Sequence, residues 1–186
     1  MKKAALLSAI LFCCLFSCAA QEQIEPEEYE VYKAWLENPL LLSDNKQIII
    51  MKSTADFRFD FMEMPRHRRR KLFRLQNSTL KDYRLRNLQS SELTNEVRVN
   101  ANVQLINSDL INFLSEPATL DFFEKTGAEF GIAFSRVGFN RKMNQALMDV
   151  NYRSVRTTKY ATGYFFLFSW KKGKWVINQI GQSWIY

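Results

Sequence analysis

Histidine, cysteine and glycine are scarce in this chain of 186 residues, which contains one, three and six of them. The single histidine, His67, lies among five cations and cannot form the cluster of ligands that a metal site needs. The six glycines are too scattered for a loop that binds phosphate through its backbone. We therefore predict no metal site, no cofactor and no catalytic residue, and the sequence favours a protein that is not an enzyme.

All of the cysteines lie in an N-terminal segment typical of an export signal, at Cys13, Cys14 and Cys18. Two lysines precede an uncharged run over 4–16, which is shorter than the roughly 20 helical residues that span a bilayer. The sequence Leu-Phe-Ser-Cys that ends at Cys18 resembles the lipobox of bacterial lipoproteins, in which the cysteine is lipidated. We predict a signal peptide over 1–18 with Cys18 as the lipid attachment site, and cleavage after Ala20 is the alternative.

Export determines where we expect the mature protein and which chemistry it retains. A lipid on Cys18 would hold it at a membrane of the bacterial cell envelope, whereas cleavage after Ala20 would make it periplasmic or secreted. No cysteine follows Cys18, so the mature domain has neither a disulfide nor a thiol nucleophile. Loss of Lys2 and Lys3 with the signal lowers the formal net charge from +7 to +5, which leaves a basic protein.

The hydrophobic pattern beyond the signal predicts one α+β domain over 26–186, joined to the anchor by a polar tether over 19–25. A helix is expected from Pro26 to Asn38, because an apolar stripe follows Pro26 and the acids of its first turn suit the positive end of the helix dipole. Two more helices are expected over 79–89 and over 117–127, the last of them ended by Gly127. Strands are expected over 47–52, 96–106, 130–139, 145–152, 160–170 and 175–186. We expect the last four of these strands to form an antiparallel meander, with a tight hairpin around Gly173 between the final two. The strand over 96–106 brings this sheet to about five strands, and the helices pack on one face.

Several short motifs occur in the C-terminal half of the chain. They are Ser-Arg-Val-Gly-Phe-Asn at 135–140, Ala-Leu-Met at 146–148, Gly-Tyr-Phe at 163–165, Lys-Lys-Gly-Lys-Trp at 171–175, and Trp184. Together they resemble the C-terminal pattern of a family of bacterial exported proteins of unknown function. The resemblance implies export and a single α+β domain, and it identifies no catalytic residue. The order of helices followed by strands also resembles NTF2-like and cystatin-like cones, which host many functions.

A basic run in the middle of the chain is a candidate patch for an anion or a partner. Its members are Arg66, Arg68, Arg69, Arg70, Lys71 and Arg74. Such a cluster would suit anionic lipid head groups or an acidic protein, and nucleic acid is an unlikely target for an exported protein. The alternative is a solvated helix face balanced by the acidic N-terminal segment.

Arg136 interrupts an otherwise apolar strand and is the first of three candidate cleft residues. It could hold a carboxylate or phosphate inside a cone, together with Asp82 and Asp149. Alternatively, Arg136 faces solvent or forms a structural ion pair with one of those two aspartates.

Three hypotheses on function follow from these observations. The first is an exported, lipid-anchored envelope protein with a binding or structural role. The second is a hydrolase or lyase that uses carboxylates and an arginine in an α+β cone. The third is an inhibitor or immunity protein that contacts an acidic partner through the basic run.

Overall fold

The structure is a computed structural model that describes residues 23–38, 47–54, 74–97, 102–107, 116–154 and 162–185. Its helices are α1 (Pro26–Leu36), α2 (Asn77–Arg86) and α3 (Glu116–Thr126), with a 3-10 turn at Asn95–Val97. Its strands are β1 (Ile48–Met51), β2 (Val103–Ile106), β3 (Phe130–Phe134), β4 (Gly138–Phe139), β5 (Gln145–Ser154), β6 (Thr162–Lys171) and β7 (Lys174–Ile185).

All of these strands belong to one mixed sheet with the order β2-β1-β3-β5-β6-β7, in which β4 pairs with the start of β5. Strand β1 runs parallel to both of its neighbours, and the remaining pairs are antiparallel. The prediction of an α+β domain is confirmed, but that of a five-stranded antiparallel meander is wrong. Parallel neighbours require long connections, and α2 and α3 lie within the two connections that join β1 to β2 and β2 to β3.

The helices cover both faces of the sheet, which corrects the prediction that they pack on one face. Tyr32 and Trp35 of α1 pack against Phe134 and other residues on one face. On the other face, α2 contributes Tyr83 and α3 contributes Phe123 to two smaller apolar clusters. All four residues of β1 are buried, so this strand needs cover on both sides.

The segment expected as one strand over 130–139 is divided into β3 and β4. The chain leaves the regular ladder at 135–137, where the Ser135 carbonyl accepts a hydrogen bond of 2.9 Å from the Tyr32 hydroxyl. The break brings Arg136 into contact with α1. At 135–137 this buried contact replaces regular strand pairing.

The strand expected over 96–106 is only partly correct. Asn95–Val97 forms a 3-10 turn, in which the Val97 amide donates to the Thr94 carbonyl, and β2 begins at Val103. Residues 98–101 lie outside the described part of the chain. The tight hairpin expected between the last two strands is confirmed, because Lys172 and Gly173 form its turn with φ values of 51° and 78°.

Gly138 of β4 lies directly against the backbone of α2, which leads to our first prediction. An added Cβ would overlap the Cα and backbone nitrogen of Tyr83. We expect Gly138→Ala to lower the free energy of unfolding by about 1–3 kcal/mol, because the helix must move away from the sheet. Urea denaturation would measure the change.

The hairpin glycine provides the matched control for this substitution. An added Cβ at Gly173 meets no atom within 4 Å, and asparagine tolerates its positive φ. Gly173→Asn should therefore lower the free energy of unfolding by less than Gly138→Ala does. Equal costs would show that α2 does not depend on close contact with β4.

Candidate functional site

Arg136 and Glu28 form a buried ion pair between the β3–β4 connection and α1. The Arg136 Nη2 atom lies 2.6 Å from Glu28 Oε1, and Nε contacts both carboxylate oxygens at 3.1 and 3.0 Å. The Val137 amide donates to Glu28 Oε2 at 2.8 Å. Both charged side chains are almost completely inaccessible to solvent. Arg136 therefore forms an ion pair with Glu28, and not with Asp82 or Asp149, the two partners that the sequence offered for a structural pair.

Arg86 of α2 extends this pair into a network that also includes Asp82. Its guanidinium contacts Glu28 at 3.2 Å, Glu25 at 3.0 Å and Asp82 at 2.9 Å. Burial alone would lower the pKa of Arg86, but the three carboxylates outweigh it and raise that pKa above its ordinary value. Asp82 also accepts the Phe139 amide at 2.8 Å, so the network joins α1, α2 and β4.

Neutral side chains hold the rest of Arg136 in place. Asn87 accepts the Arg136 amide at 2.8 Å and donates to the Arg136 carbonyl at 2.9 Å. The Ser91 hydroxyl lies 2.9 Å from Nη1 of the guanidinium. Since Arg136 is enclosed by these partners, its observed contacts are structural, and its side chain does not face an open cleft.

Sequence reasoning missed Glu28 as the central acid of this network. It treated the first-turn acids of α1 as favourable charges at the helix dipole. In the structure, Glu25 and Glu28 form a capping box, with the Glu25 amide 3.2 Å from Glu28 Oε1. The spacing of Glu25 and Glu28 signals the cap, but nothing local signals the contact with Arg136.

Asp149 lies on the opposite face of the sheet, under α2, and is buried. The Ser183 hydroxyl donates to Oδ1 at 3.2 Å, whereas Oδ2 and the nearby Tyr83 hydroxyl have no hydrogen-bond partner among the described residues. Burial raises the pKa of Asp149 to about 7, and hydrogen bonds from Ser183 and the Val150 amide oppose that increase. Burial also raises the pKa of Tyr83, and the neighbouring Asp149 adds to the effect.

The three candidate cleft residues are therefore in different environments. Arg136 and Asp149 are buried, on different faces of the sheet, and Asp82 is partly exposed. Asp82 lines an open surface depression of about 550 Å³ together with Lys81, Leu85 and Met143. This arrangement does not bring the three groups together around one accessible substrate.

Two adjacent turns at one end of the sheet form a surface that we call the basic end. Its exposed members are Arg141, Lys142 and Met143 of the β4–β5 turn, and Trp170, Lys171, Lys172 and Lys174 around the β6–β7 hairpin. The Trp170 amide donates to the Asn144 carbonyl at 2.9 Å, which holds the two turns together. The surface thus combines five cations with two large apolar side chains.

Arg74, the last residue of the basic run, also lies at this end of the sheet. The Gln145 side chain donates to the Arg74 carbonyl at 2.8 Å and accepts hydrogen bonds from the Gln76 amide and the Thr79 hydroxyl. It thereby joins the start of β5 to the start of α2. The other five residues of the candidate patch, and Cys18, lie outside the described residues.

The part of the chain that the structure describes contains no group of three or more His, Cys, Asp or Glu side chains able to hold a metal ion. No helix within that part is long and apolar enough to cross a membrane. Comparison with models of protein families, with curated proteins and with solved structures finds no match. The resemblances to an exported family and to NTF2-like or cystatin-like cones therefore stay predictions.

Proposed function

We propose that the protein is exported, anchored to the bacterial cell envelope through a lipid on Cys18, and acts there by binding. The distribution of charge is the observation that supports a binding role. Inside the domain, the buried charges of Arg136 and Glu28 are bound to each other. At the basic end, by contrast, five cations are exposed to solvent. Such a surface suits an anionic partner.

The start of the folded domain supports attachment close to a membrane. Ile24 is buried in the main core, and the Gln23 carbonyl accepts a hydrogen bond from Arg136 Nη2 at 3.4 Å. The sequence assigned both residues to the tether, whereas these contacts attach them to the folded domain. From Cys18 to Gln23 the chain extends about 18 Å at most, at roughly 3.5 Å per residue.

The two alternatives differ in the support that the structure lends them. A hydrolase or lyase based on carboxylates and Arg136 is not favoured, because Arg136 and Asp149 are buried and Arg136 is bound to Glu28. An inhibitor or immunity protein is the second candidate, since the exposed cations could also contact an acidic protein.

Metabolic labelling with radioactive palmitate tests the anchor directly. We expect label on the wild-type protein and none on Cys18→Ala, because that substitution removes the thiol that accepts the lipid. Cys14→Ala is the matched control within the signal and should keep the label. An unlabelled wild-type protein, or a labelled Cys18→Ala variant, would overturn the proposed anchor.

A further inference from the structure

We infer that the basic end is a docking surface for anionic phospholipid, which holds the anchored domain against the bilayer. The inference deepens the proposed function, and it rests on that function for the membrane's proximity. The cations of the basic end would lie among phosphate head groups, with Trp170 and Met143 at the level of the head groups and upper acyl chains. The following observations support this choice of partner.

The basic end belongs to a long segment of the chain in which basic residues far outnumber acidic ones. Residues 130–186 contain nine basic residues and a single acidic one, Asp149, which is buried. Within the described residues, none of the five cations at the basic end forms an ion pair with an acidic side chain. Their positive charge is therefore available to an external anion.

The apolar members of the basic end have the character of a membrane interface. Trp170 is 45% exposed and Met143 is 40% exposed. The Trp170 ring packs edge to face on Trp175 at 5.3 Å, and Trp175 in turn contacts Phe139 at 5.7 Å. Trp170 is thus held by the core while part of its ring faces outward. Tryptophan in this situation is enriched where proteins meet lipid head groups.

The point where the chain enters the fold lies near the same end of the sheet. Gln23 contacts Arg136, which directly precedes β4, and β4 leads into the basic turn at 141–142. Arg86 connects the two regions, because it contacts Glu25 and its guanidinium lies 5.6 Å from the centre of the Phe139 ring. A lipid on Cys18 would therefore bring the basic end close to the membrane surface. A lipid chain and a basic patch together bind a bilayer more firmly than either does alone.

Flotation with vesicles tests docking separately from anchoring. The probe is the mature chain 18–186 with Cys18→Ala, mixed with vesicles of phosphatidylcholine alone or with about one third phosphatidylglycerol. We expect binding to the anionic vesicles only. Replacing Lys171, Lys172 and Lys174 by Gln should weaken that binding about 100-fold, because each cation near an anionic surface contributes a factor of roughly five.

The matched control removes three lysines from other parts of the surface. Lys33, Lys52 and Lys125 each form an exposed ion pair, with Glu30, Glu92 and Asp121 respectively. Replacing these three by Gln changes the net charge by the same amount, and we expect a much smaller loss of binding. Equal losses in the two triple variants would show that net charge alone attracts the protein, and would overturn the docking surface.

Quenching of tryptophan fluorescence locates the surface that meets the lipid. Phosphatidylglycerol with brominated acyl chains should quench the probe chain, and Trp170→Phe should remove most of that quenching. Unchanged quenching in Trp170→Phe, or no binding to anionic vesicles, would overturn the inference. Flotation of the lipidated chain with neutral vesicles reports on the anchor alone, so a failed anchor and a failed docking surface are distinguishable.

Discussion

Replacing Glu28 by alanine is expected to lower the free energy of unfolding by about 3–5 kcal/mol. The substitution removes the buried carboxylate that binds the guanidinium of Arg136, and it removes the acceptor for the Val137 amide. It also removes one of the carboxylates that Arg86 contacts. Chemical denaturation of the purified mature protein, followed by circular dichroism, would measure the loss.

Glu30→Ala is the matched control on the same helix. Glu30 pairs with Lys33 at the surface, and such exposed pairs contribute about 0–1 kcal/mol. We also expect the double substitution of Glu28 and Arg136 by Leu and Met to cost less than Glu28→Ala, because no buried charge then lacks a partner. If Glu28→Ala and Glu30→Ala lower the free energy of unfolding equally, the buried pair of Glu28 and Arg136 does not hold α1 to the sheet.

Replacing Asp149 by asparagine is expected to remove a decrease in stability between about pH 4 and pH 7. The pKa of Asp149 is about 7 in the folded protein, compared with an ordinary value of 3.8. Below about pH 4 the carboxyl is protonated in both states, so its full contribution to stability is present there. As the pH rises, the unfolded state loses the proton first. The contribution is therefore lost progressively as the pH approaches the folded pKa.

The size of this effect follows from the difference between the two pKa values. A difference of about three units corresponds to a loss on the order of 4 kcal/mol above pH 7. We expect Asp149→Asn to be more stable than the wild type at pH 8, and the two proteins to converge near pH 4. Urea denaturation at several pH values would measure the difference. Parallel curves of stability against pH for the wild type and Asp149→Asn would contradict a buried neutral carboxyl at this position.

Local sequence pattern was sufficient for several elements of the fold. Pro26 and the apolar stripe predicted α1, and Gly127 predicted the end of α3, where its φ is 68°. The hairpin between β6 and β7 was also predicted, because a glycine in a short basic turn favours the required positive φ. Each of these features depends on residues that are close together in the chain.

Much less of the candidate site could be predicted from the sequence. Arg136 was noticed because a charge interrupts an apolar strand, but its partner Glu28 lies 108 residues away. Asp82 and Asp149 are equally good candidate partners in the sequence, since composition and spacing give no information on which acid approaches an arginine in space. Asp149 is a candidate cleft residue or partner of Arg136 in the sequence, and only its burial under α2 explains its raised pKa.

The sequence by itself determined the chain's basic charge, the basic run in its middle segment, and the α+β class. The tertiary structure alone decided that β1 has parallel neighbours, that helices cover both faces, and that the turns at 141–142 and 171–174 form one surface. The physical reason is that periodicity shows which side of an element is buried. It does not show which distant element covers that side, since the contacts that bury it join residues far apart in the chain.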